Sequence, residues 1–225
     1  MEPAFPLTED ALREQTPLAP LLLELRAFTT DLLEALLGGP VRSMILKHER
    51  RRAGLIRRNL LCANGFPLFL AVSVVRAEGS PQAHALVRSL LADRGLVLGH
   101  ALNDRGLFGA KTKPLFRRVS YLPSYQALFR ADGGAAEVWE RSYAILSPKQ
   151  KKIAGVTEIF SPRLEQWMRE HSDRVHTTFE HAARGGEVLA RSARHASGPH
   201  ERSSTTFFAT PRTRPSLTRK NRDSE

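Results

Sequence analysis

The stretch Leu55–Val75, LIRRNLLCANGFPLFLAVSVV, limits the fold more than any other part of the chain. Two apolar runs flank Asn64-Gly65, the pair that best tolerates the positive φ angles of a two-residue turn. A β-hairpin is expected here. Arg57 and Arg58 sit inside its first run. Side chains alternate faces along a strand, so one guanidinium must point to the covered face of the sheet and the other away from it. A buried cation without an anionic partner costs about 3–5 kcal/mol. The inward arginine therefore needs a carboxylate from the protein or from a ligand.

Around the hairpin the chain divides into a flexible lead-in (1–17), a folded domain (18–185) and a basic disordered tail (186–225). Leu18–Phe28 is a short apolar helix with Pro20 in its first turn. The segment 29–39 is a second helix, capped by Thr29 or Thr30 and stopped at Gly38-Gly39, with Leu32, Leu33, Leu36 and Leu37 towards the core. A first strand over 41–49 leads through a basic loop, Arg50–Arg52, into the hairpin. Ser80–Arg94 is a helix with Ser80 as cap and Pro81 at its first position. The run 95–104, GLVLGHALND, reads as turn-rich backbone that comes close to something. Between Asp104 and Gly134 the pattern is weakest, and RRVSYL and SYQALF are each a short strand or a helix end. EVWERSYAIL and KKIAGVTEIF are the last strands, with Val138, Glu140, Ser142 and Ala144 sharing one face of the former. Residues 163–184 form one amphipathic helix with Leu164, Trp167, Met168, His171, Val175 and Phe179 on its stripe. Hairpins grouped with helices, without βαβ alternation, give an α+β class: a single antiparallel sheet flanked by helices.

The 225 residues suffice for one well-cored domain. No stretch approaches the roughly 20 apolar residues of a membrane span, and the acidic N-terminus lacks the order of a signal peptide. A cytoplasmic monomer is expected. The single cysteine, Cys62, excludes an intrachain disulfide and a cysteine-based zinc site. Part of the net charge of +11 lies after Arg184, where eight Lys and Arg residues stand against four acidic ones among Ser, Thr, Gly and Pro. That composition describes a solvated tail rather than a nucleic-acid surface.

Phosphate-loop, dinucleotide, HExxH, CxxC and nucleophile-elbow motifs are absent. His171, His176 and His181 are spaced by five, off a common helix face, so no metal site is expected. Glu158 stands out because it lies in the least polar strand of the C-terminal half. A glutamate there is either turned to water or faces an interior pocket, where it can donate or accept a proton. Arg57 has the same two readings. Together they place a cation and a proton-handling carboxyl on two apolar strands of one sheet, a site that suits a small carboxylate.

The ordered set Thr29–Ala35, Ile56–Cys62 with Asn64–Pro67, Leu98-Gly99-His100, and the hairpin from Arg141-Ser142-Tyr143 to Thr157–Phe160 resembles bacterial chorismate pyruvate-lyase (4-hydroxybenzoate synthase) and its relatives. The resemblance spans about residues 18–162, with a longer segment between Asn103 and Trp139. It implies a chorismate lyase-like fold with an enclosed ligand site. The implied reaction removes pyruvate from chorismate to leave 4-hydroxybenzoate, without metal or organic cofactor. Carried over by position, Arg57 grips a ligand carboxylate and Glu158 lies beside the ligand hydroxyl, as the catalytic pair. Leu98 and Gly99 bring backbone to the substrate, and Thr30 replaces a larger apolar residue against the ligand. The other function implied by the same fold is a non-catalytic module that binds a small carboxylate. Ligand-sensing domains of some transcription regulators are of that kind. No helix-turn-helix is legible in the chain, which favours the enzyme.

Overall fold

A computed structural model of the chain describes residues 9–24, 28–77, 81–130 and 136–184. In order they form α1 (Glu9–Gln15), α2 (Ala19–Leu23), α3 (Thr29–Leu37), β1 (Arg42–Arg51), β2 (Gly54–Ala63), β3 (Phe66–Arg76), α4 (Pro81–Ala92), α5 (Leu98–Asn103), β4 (Ala110–Lys111), β5 (Leu115–Ser120), α6 (Pro123–Phe129), β6 (Glu137–Leu146), β7 (Lys152–Phe160), α7 (Pro162–Glu170) and α8 (Ser172–Arg184). The strands make one sheet in the order β1-β2-β3-β7-β6-β4, and β5 also pairs with β6. All its ladders are antiparallel. The expected α+β class, one antiparallel sheet flanked by helices, is the architecture the chain adopts. No helix among the described residues is long and apolar enough to cross a membrane.

The β2–β3 hairpin turns at Asn64 and Gly65, with φ of 52° and 75°. Both values are the positive ones that a turn matched to strand twist requires. Other boundaries differ from expectation. The lead-in contains α1, whose Leu12 is buried, so residues 9–15 belong to the fold. Strand β1 runs on through Arg50 and Arg51, which leaves only a tight turn before β2. The stretch expected to be turn-rich contains α5. The last helix is two, α7 and α8, separated at His171, whose φ and ψ of −121° and 37° leave the helical region. Helix α3 is preceded by Phe28 and has no side-chain cap, so neither Thr29 nor Thr30 caps it. Ser80 and the tail from 186 onward lie outside the described residues.

The ladder register decides what shares a face. Arg57, Ser73, Val156 and Tyr143 form one row across β2, β3, β7 and β6, and Asn59, Ala71, Glu158 and Arg141 form the next. Directly paired residues point the same way, as do positions two apart on one strand. Both rows therefore face the same layer of helices. Apolar rows bracket them. On one side Leu61, Phe69 and Phe160 pack with leucines of α2 and α3 and with Leu164 and Met168 of α7. On the other, Leu55, Val75, Ala154 and Ile145 pack with Leu86 and Leu90 of α4 and Leu102 of α5. The opposite face of the sheet packs Leu60, Leu70, Val138 and Ile159 against Tyr121 and Phe129. A polar band thus runs across the covered face between two hydrophobic clusters.

Two glycines of the hairpin should respond differently to a methyl group. At Gly65 a Cβ meets open space, so Gly65→Ala should cost about 1–2 kcal/mol through its positive φ alone. At Gly54 a Cβ would overlap the Val75 carbonyl oxygen, so the backbone must shift and the cost should be larger, up to about 3 kcal/mol or more. Urea titration of both variants checks the order, and a Gly54→Ala protein at least as stable as Gly65→Ala contradicts this packing.

Candidate functional site

At the C-terminal end of the polar band, strands β6 and β7 pair Arg141 directly with Glu158. The two residues are only 1% and 3% exposed. Arg141 Nε donates to Glu158 Oε2 at 2.9 Å, and Nη2 donates to the same oxygen. Tyr143 Oη donates to Oε1 at 3.0 Å. The Thr29 hydroxyl, at the first residue of α3, reaches Oε1 at 2.9 Å and Oε2 at 3.2 Å. Arg141 also donates from Nη1 to the carbonyl of Leu21, close to the C-terminal end of α2. Its charge works against burial, but the Glu158 carboxylate wins and raises its pKa. Burial and then the same carboxylate push the Tyr143 phenol upward, so it stays a hydrogen-bond donor through the physiological range.

Lys111 of β4 pairs with Ile145 and so reaches the same face. Its Nζ lies 5.0 Å from the centroid of Tyr143 and 5.5 Å from that of Phe28, a cation–π arrangement. Burial, with Arg141 nearby, pulls its amine down to about 8.

At the other end of the band Arg57 is fully buried. Its Nε donates to His48 Nε2 at 2.8 Å, and its Nη2 to the Arg94 carbonyl at 3.2 Å. Its Nη1 is buried without a hydrogen-bond partner. Burial lowers its pKa to about 10, opposed by Asp93, so the group is cationic at neutral pH. One turn of the pleat along β2, Asn59 donates to Ser43 Oγ at 3.0 Å, while its Oδ1 is likewise buried and unpartnered.

Between the band and the helices lies a small cavity of about 50 Å³. Its walls include Thr29 and Thr30 of α3, Leu98 and Gly99 of α5, and Asn59, Ser73, Tyr143 and Glu158 of the sheet. The side chain of His100 joins the two covering helices through Nε2 to Asp31 Oδ1 at 3.0 Å, and that bond raises the His100 pKa. Asp31, Glu34 and His100 bring ligand-type atoms within 4.8 Å of one another, the kind of group that could hold a cation. Glu34 Oε1 already accepts the Val41 N–H at 2.8 Å, so the trio reads as a hydrogen-bonded clasp.

Four of the five residues singled out from sequence, Thr30, Leu98, Gly99 and Glu158, therefore line one cavity. Arg57 does not; it stands next to the wall residue Ser73, one strand further out. Gly99 is needed for a reason other than a bound molecule. A Cβ there would stand 2.6 Å from Phe28 Cγ, so the close approach it permits is to the chain's own ring. Sequence reasoning missed Arg141, Tyr143 and Thr29, the three donors to Glu158. Alternation along EVWERSYAIL offered a signal, since Arg141 and Tyr143 share the face opposite to the one singled out.

No family model matches the sequence, and no curated protein matches it. Among solved structures, PhnF from Mycobacterium smegmatis is 13% identical over 58% of this chain and 62% of its own, with a TM-score of 0.47. The effector domain of the same protein is 13% identical over 55% and 82%, with a TM-score of 0.45. The C-terminal domain of the histidine utilization repressor from Pseudomonas syringae is 12% identical over 55% and 92%, with a TM-score of 0.41. Likenesses of this size identify neither a family nor a ligand.

The central ion pair has a measurable signature. Glu158→Gln leaves the Arg141 charge buried without its counter-ion, and Arg141→Met does the reverse, so each should cost about 3–5 kcal/mol. The double variant should lose clearly less than the sum of the two in chemical denaturation. Additive losses would show that the pair is not coupled.

Proposed function

We propose that this chain binds a small ring compound with a carboxylate at one end and a hydroxyl at the other. Arg57 holds the carboxylate, and the hydroxyl lies against Glu158 and Tyr143. The observation that carries this reading is the buried Arg57 guanidinium with an unmet Nη1 donor, on the same sheet face as Glu158. A buried donor of this charge gains most from an anionic acceptor, and a guanidinium matches a carboxylate in geometry as well as sign.

The spacing suits such a ligand. Strands β2 and β7 flank β3, so their side chains stand two strand spacings apart, roughly 10 Å. The β3 residues between them are Ala71 and Ser73, small side chains that leave room above the sheet. Glu158 already accepts two bonds from Arg141 and one each from Tyr143 and Thr29, so a ligand hydroxyl takes the place of the Thr29 or the Tyr143 bond rather than adding to them. The cavity of about 50 Å³ is smaller than the roughly 150 Å³ that takes up benzene in an engineered core, so α3 and α5 must separate for a ring to enter.

Binding fits this arrangement better than turnover. A carboxylate fixed by a buried guanidinium is well placed to receive a hydroxyl, whereas proton transfer would leave Arg141 without its counter-charge. The second reading, a cofactor-independent lyase that releases pyruvate from chorismate, is favoured by one observation. Arg57 and Glu158, the pair the resemblance assigns to the two ends of the product, share one covered face.

Calorimetric titration with 4-hydroxybenzoate and its neutral analogue 4-hydroxybenzamide tests the main reading. The acid should bind about 10–100-fold more tightly than the amide, and Arg57→Ala should remove most of that difference. Equal affinities for acid and amide would contradict the role given to Arg57. Incubation with chorismate separates the two readings: release of 4-hydroxybenzoate and pyruvate favours the lyase, and intact chorismate favours the binding module.

A further inference from the structure

We infer that His48 is the positioning residue for Arg57, and that a proton on His48 releases the anion grip; this rests on the carboxylate-binding reading above. His48 of β1 pairs directly with Arg57 of β2, so the two side chains leave the sheet on the same side. The contact is Arg57 Nε to His48 Nε2 at 2.8 Å. A guanidinium has donors only, so the imidazole nitrogen must be the acceptor. That requires neutral His48 with its proton on Nδ1. Protonated imidazole carries two donors and no acceptor, and would set two cations face to face.

The bond matters because of what it leaves over. With Nε on His48 and Nη2 on the Arg94 carbonyl, the plane of the guanidinium is fixed and Nη1 is the arm without a partner. A side chain with four rotatable bonds thereby presents a donor in one orientation. Charged groups around the contact favour the neutral imidazole. Burial comes first, then Arg57 on β2, then Arg94 beyond α4, and all three lower the His48 pKa. Asp93 acts on Arg57 from the same turn and helps keep that group charged. As pH falls through the depressed His48 value, the acceptor is lost and Arg57 is freed to turn away.

The test uses the full chain and 4-hydroxybenzoate between pH 5.5 and 8. Wild-type affinity should fall severalfold towards the acid end, where His48, its value below the ordinary one, is only partly protonated. His48→Gln, whose amide oxygen can accept from Nε at any pH, should show no such fall. His48→Leu should bind weakly at every pH. Nitrogen-15 NMR gives a readout that needs no ligand: His48 Nε2 unprotonated at pH 8, and an Arg57 Nε–H whose exchange, measured against that of a free guanidinium at the same pH, is protected at pH 8 and loses that protection in acid or in His48→Leu. A His48→Gln protein with the wild-type pH profile overturns the inference. So does His48→Leu binding as wild type, or Nε–H exchange that ignores His48. Absence of wild-type binding at pH 8, with the Nε–H still protected, instead overturns the carboxylate reading and leaves the His48–Arg57 coupling standing.

Discussion

Arg141 is the side chain through which sheet and helices are joined. From its place on β6 it pairs with Glu158 on β7, meets the Thr29 hydroxyl at the start of α3, and donates to the Leu21 carbonyl at the end of α2. The last carbonyls of a helix have no partner within it and carry the negative end of its dipole, so a cation there is stabilising twice over. Tyr143 and Phe160 place their rings 5.0 and 5.8 Å from the guanidinium carbon. One buried cation thus fixes two helices and a neighbouring strand. Each of those elements brings a polar group to that cation: the Leu21 carbonyl, the Thr29 hydroxyl and the Glu158 carboxylate.

The consequences reach along the whole covered face. Hydrophobic clusters on either side of the polar band hold the helices down, and the band keeps them from closing fully over the sheet. Small residues at Ala71 and Ser73 widen the gap, and α5 leans over it because Gly99 lets its backbone rest on the Phe28 ring. The cavity is where two well-packed regions meet across charged and hydroxyl groups. At one end Glu158 has all its charge matched, while at the other Arg57 has a donor without a partner. That asymmetry leaves a buried cationic donor on the covered face without an acceptor.

Much of the frame is legible in the sequence because it depends on local signals. Asn64-Gly65 sets the hairpin turn, Gly38 stops α3 with a φ of 67°, and alternation marks β6 and β7. The inward arginine of the hairpin is legible too, since alternation alone requires one. Its partners are not: His48 meets Arg57 only through the β1–β2 register, and the Arg94 carbonyl arrives from beyond α4. Arg141 was hidden for the same reason. Its pairing with Glu158 depends on which residues of β6 and β7 lie opposite, and β6 has side chains able to pack on either face. Helix α5, six residues with a glycine, has too little periodicity to show itself. The break at His171 interrupts a stripe that continues in sequence but not in backbone.

The placement of a ligand between Arg57 and Glu158 is tested most directly by a crystal structure of the protein soaked with 4-hydroxybenzoate. The expected result is a ring over Ala71 and Ser73, its carboxylate on Arg57 Nη1 and its hydroxyl within hydrogen-bond reach of Glu158 or Tyr143. A ring bound the other way round, or seated away from this sheet face, would contradict it.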